Sequence, residues 1–169
     1  MLQPAEYTMT GRIFLVLIAT AMSGAHAIAA EPESSGGYSS DLSRVYWGYY
    51  QVLAQKEACD TAVPATRAAN NRALAAWQAQ HKSLVTELRR RVTAMIRRAS
   101  TDEKDYARNL GKYEGAILQE RNDYRDSLLK LGADELRGQC QGMADVLKSP
   151  EANLSKVYAD ELEAIRKRK

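Results

Sequence analysis

Apolar residues recur about every 3.5 positions between Pro64 and Leu131, the period of a helical stripe that packs against another helix. The stripe runs through Leu74, Trp77, His81, Leu84, Leu88, Val92, Met95 and Ala99, then Tyr106, Leu110, Tyr113, Ile117, Tyr124, Leu128 and Leu131. One straight helix of about 100 Å, at ~1.5 Å per residue, would carry it, and so would two helices folded back on each other. The residues around position 100 favour the fold-back. Arg97 and Arg98 suit the negative end of one helix macrodipole, while Asp102, Glu103 and Asp105 suit the positive end of the next. Ser100 and Glu103 have the spacing of a capping box. A turn at Ser100 sets residues whose numbers sum to about 200 opposite each other. Trp77 then faces Tyr124, Leu84 faces Ile117, Leu88 faces Tyr113, Val92 faces Leu110 and Met95 faces Tyr106. His81 falls opposite Glu120 and Arg121.

The same turn levels the two cysteines, since Cys59 precedes Ser100 by 41 residues and Cys140 follows it by 40. A straight helix would hold them far beyond the ~4.4 to 6.8 Å between Cα atoms that a disulfide needs. Hairpin and Cys59–Cys140 bridge are therefore one expectation.

Shorter helices flank the hairpin. A first one is expected from Asp41 to Cys59, capped by Ser40, with Leu42, Val45, Tyr46, Tyr49 and Leu53 facing inward. Trp47 falls off that stripe beside Arg44, and Tyr50 sits between the two faces. These three are the candidate partner-binding residues, because aromatics and Arg dominate interface hot spots; the alternative is a helix buried on a wider arc. Pro64 suits the first position of the hairpin. After Leu131, Gly132 reads as a helix-ending residue, and a fourth helix runs from Asp134 to about Leu147 with Cys140 and Met143 inward. A fifth starts at Ser149 and Pro150 and carries Leu154, Val157, Tyr158 and Ile165 on one face. No stretch alternates with period two long enough to make a strand. The expected fold is all-α, a long antiparallel helical hairpin packed with three shorter helices and closed by one disulfide.

The N-terminus changes the setting. Arg12, the apolar run Ile13–Met22 and the small residues Ala27 and Ala29 read as a secretory signal over residues 1–29. Residues 30–40, rich in Pro, Gly and Ser, form an expected flexible lead-in to a single helical-bundle domain over 41–169. An exported chain with an even cysteine count favours a bridge, and localisation in the periplasm or beyond follows. The apolar run is too short for a stable membrane anchor. The net charge of +3 is small and mixed, unlike the footprint of a nucleic-acid binder.

Candidate chemistry is sparse. Once the signal and His26 are removed, His81 is the remaining histidine, too little for a catalytic triad or a zinc site with its three or four ligands. With Glu120 it makes a candidate buried polar pair, read either as a register-fixing contact or as a pH-responsive one. No catalytic group, cofactor or metal site is expected. The basic run Leu88–Ala99 spreads its arginines around the helix, with Arg91 beside Glu87, and reads as a solvated face. The leading functional expectation is a protein that binds another protein, as inhibitor, immunity factor, adaptor or chaperone. The alternatives are a bundle that binds small ligands or catalyses electrostatically through Arg121, Glu114 and Glu120, and a structural coiled-coil homodimer of the envelope.

Overall fold

The computed structural model describes residues 37–168, so the expected signal over 1–29 and most of the expected lead-in lie outside the described residues. Among the described residues the chain is all-α. Its helices are α1 (Tyr38–Ala62), α2 (Arg67–Arg98), α3 (Glu103–Leu129), α4 (Ala133–Val146), α5 (Leu154–Val157) and α6 (Ala159–Lys167). Two 3-10 turns, Pro64–Thr66 and Pro150–Ala152, precede α2 and α5, each opening on a proline whose missing N–H would have no helical partner.

The stretch from Pro64 to Leu131 folds back where the charges place the turn. Its cap lies two residues further on than expected: the Asp102 side chain accepts from the Asp105 amide at 2.8 Å, and Asp105 accepts from the Thr101 amide at 3.0 Å. Ser100 instead donates to the Ile96 carbonyl at 2.7 Å, and Glu103 pairs with Arg97 at 2.8 Å. The Cys59–Cys140 disulfide forms, with 5.3 Å between the Cα atoms.

The partner of the stripe differs from the expectation. Helix α1 is wedged between the two arms and packs on each more extensively than they pack on each other. It runs antiparallel to α2, where Tyr49 stacks on Trp77 at 5.6 Å and accepts from Gln78 at 3.1 Å. It runs parallel to α3, where Trp47 meets Tyr124 edge-on at 6.0 Å and Glu57 pairs with Arg121. Direct contact between the arms is seen beside the turn, where Arg97 also lies 3.9 Å over the Tyr106 ring and Asn109 donates to Ser100 at 3.2 Å. Trp77 therefore does not face Tyr124. A helical period marks which face of a helix is apolar, and is silent on which helix covers it.

The ends of the chain close the other side of α1. Gly132 has φ −57° and caps the start of α4; it does not take the left-handed turn expected of a helix-ending glycine. The expected fifth helix is divided twice: the Asn153 side chain starts α5 by accepting from the Ser155 and Lys156 amides at 3.0 and 3.3 Å, and Tyr158, with φ −112° and ψ 36°, separates α5 from α6. Leu154, Leu162 and Ile165 are buried, whereas Val157, expected inward, is 41% exposed. The first helix starts three residues before Asp41, at Tyr38, and Ser40 lies inside it and does not cap it.

Candidate functional site

Five consecutive residues of α1, Tyr46-Trp47-Gly48-Tyr49-Tyr50, turn through more than a full helical turn, so each meets a different neighbour. Tyr46 is buried, with the Arg89 guanidinium of α2 and the Tyr113 ring of α3 beside it. Trp47 packs on Tyr124. Gly48 receives the Tyr158 ring so closely that a Cβ there would lie 2.5 Å from the phenol oxygen. Tyr49 stacks on Trp77 of α2. Tyr50 makes edge contacts with Tyr46 and Tyr49 at 5.1 and 5.7 Å, and burial, together with its bond to the Tyr46 hydroxyl, pushes its phenol pKa upward.

The residues expected to bind a partner are thus occupied within the chain. Trp47 is half-buried under α3, Tyr50 is half-buried among tyrosines, and the Arg44 guanidinium pairs with Glu161 of α6 at 3.0 Å. The three do not form one open patch. Trp47 and Tyr50 pack within the chain as the wider-arc alternative expects, while the Arg44 side chain stays exposed on α1.

His81 and Glu120 are also apart. Glu120 is exposed on α3, while His81 is buried on α2 with its Nδ1 2.8 Å from the Trp77 carbonyl oxygen and its Nε2 accepting from the Leu154 amide at 3.1 Å. The wedge of α1 separates the two arms on which the residues lie. Arg121 is engaged by Glu57, and Glu114 is exposed, so the groups proposed for electrostatic catalysis do not converge. Two concavities, lined by Asp160, Glu163, Lys167 and their neighbours, lie on the open outer surface of α6, away from the aromatic core. Among the described residues no group of three or more His, Cys, Asp or Glu could hold a metal, and no helix is long and apolar enough to cross a membrane.

The least covered long surface is the outer face of α3. Only Ile117 and Leu128 of this helix are buried. Along its outer side run Ala107, Gly111, Gly115, Leu118 and Asn122, all exposed, at spacings of four, four, three and four residues. A Cβ added at Gly111 or Gly115 would meet nothing within 4 Å, and Leu118 is 48% exposed, the most open large apolar side chain described. The sequence signal for this face is the G-x-x-x-G pair inside a helical run, which leaves no mark on an apolar stripe because glycine is neither apolar nor polar. No protein-family model matches the chain, no curated protein resembles it in sequence, and no solved structure matches its fold.

Proposed function

We propose that this protein acts by binding another protein outside the cytoplasm, and that the outer face of α3 receives a helix of the partner. The observation that carries the reading is the open glycine pair. A mid-helix glycine costs about 0.8 to 1 kcal/mol relative to alanine, and no packing within the described chain uses the absence of a Cβ at Gly111 or Gly115. A partner helix does use it, since small residues let two helix backbones approach closely. Leu118 then supplies an apolar anchor at the middle of the face, with Arg108 and Lys112 on its flank. Export is supported by the N-terminal apolar run and by the disulfide, which persists in oxidising compartments.

The test is retention of a host-envelope protein on the immobilised oxidised chain. Wild type should hold one partner in stoichiometric amount, and Gly115→Arg should release it with helical content kept and a melting temperature no lower than that of wild type. Equal retention by Gly115→Arg overturns the assignment of the face; no retained protein on either overturns the binding role. Sedimentation of both forms identifies the case in which the partner is a second copy of this chain.

A further inference from the structure

His81 is 2% exposed, and both of its ring nitrogens are engaged. The Leu154 amide can only donate, so Nε2 is unprotonated and accepts; the ring proton sits on Nδ1, where the Trp77 carbonyl accepts it. The fold therefore selects one neutral tautomer. A second proton on Nε2 would face the Leu154 N–H donor to donor and place a charge in a sealed site. The groups facing the ring are the Trp77 indole and carbonyl on α2 and the Leu154 amide on α5, with the Tyr49 phenol of α1 beyond the indole it stacks on. None of these is charged at neutral pH, and no carboxylate among the described residues pairs with the ring.

What the ring holds is the connection from α4 to α6. One turn of α2 fastens it twice, through His81 to the Leu154 amide and through the Trp77 indole N–H to the Ala152 carbonyl at 2.7 Å. The frame on either side is secured by other means. Helix α4 is tied to α1 by the disulfide, and α6 is tied to α1 by Arg44–Glu161 at 3.0 Å and to α2 by Arg166–Glu87 at 2.9 Å. The hydrogen bond from Arg166 is the main cause holding the Glu87 carboxyl below its ordinary range, so this pair stays charged where an imidazole titrates.

We propose that His81 is an acid-operated latch: its protonation frees residues 150–157 from α2 and uncovers the Trp77 and Leu154 side chains, while the disulfide and the ion pairs of α6 keep the rest in place. The test is amide exchange of the oxidised chain from about pH 7.5 to about pH 5, corrected for intrinsic rates. Below about pH 6.5, the ordinary value of a solvated imidazole, the Leu154, Val157 and Tyr158 amides should lose protection about tenfold per pH unit, with α1 and α2 unchanged. Unchanged protection at Leu154, or a loss shared equally by α1 and α2, overturns the latch. His81→Gln, which can still accept at that position, should abolish the acid response; a response that survives overturns the assignment to His81. Nitrogen NMR of the wild-type ring reads the same step without a variant. Nε2 should gain its proton in step with exposure of Leu154, and a proton gained without that exposure overturns the proposal.

Discussion

Gly48 and Gly111 both sit inside long helices, and alanine should move stability in opposite directions at the two. At Gly48 a Cβ would lie 2.5 to 2.8 Å from atoms of the Tyr158 ring and hydroxyl, so Gly48→Ala should destabilise by about 1 to 3 kcal/mol through overpacking. At Gly111 the space is open, and Gly111→Ala should stabilise by about 0.5 to 1 kcal/mol through lower chain entropy. Urea midpoints of the two variants check the pair, and a shift of the same sign would contradict the packing described for α1. Trp47→Ala tests the other correction at this scale. Its ring packs on Tyr124, so truncation should cost about 2 kcal/mol, below the range for a fully buried Trp, and should lower the near-ultraviolet circular dichroism of the folded protein. The oddity of Trp47 was visible in the sequence as a large apolar side chain off its stripe. Its meaning was not, because an off-stripe Trp reads the same whether the covering surface belongs to a partner or to α3.

At the scale of elements, the turn of the hairpin was legible because its signals are local: Arg97, Asp102 and Asp105 act on their own helix ends. Placement of α1 between the arms was not, because it depends on contacts between residues far apart in the chain, such as Glu57 with Arg121, 64 positions away. A clue lay in Tyr46, Trp47, Tyr49 and Tyr50, whose directions spread over nearly half of the helix circumference, wider than the ~100° stripe of a helix packed on one side, and imply neighbours on more than one side. The seat of α6 on α2 carries a pH signature of its own. Glu87 is lowered first by the Arg166 hydrogen bond, against the raising effect of burial, and further by Arg91. A carboxyl lowered by folding contributes stability above its unfolded value of about 4.3 and loses it as pH falls through the folded value. Glu87→Gln should therefore be less stable than wild type at neutral pH, with the difference shrinking as pH falls below about 4.3, as thermal melts across that range would show. A constant difference at all pH values would mean that packing, rather than charge, seats α6.

At the scale of the molecule, the disulfide joins the C-terminal part of α1 to α4 across a sequence separation of 81 residues. Loop-closure entropy for a loop of this length is worth about 4 kcal/mol, so reduction should lower stability by that order and leave the helices formed where the fold survives. The bridge was readable from compartment, cysteine count and symmetry about Ser100. Function was far less so, because no residue pattern here carries a chemistry and the face proposed for binding is defined by what is missing from it. Helix α1 is the pillar that both arms and the C-terminal helices share. Native-state hydrogen exchange of the oxidised chain in mild urea tests this most directly. Amides around Val45, Tyr49 and Ala54 should exchange only by global unfolding and be among the last to open. If instead α1 opens at low free energy while α2 and α3 stay protected as a self-sufficient hairpin, the central place given to α1 is wrong.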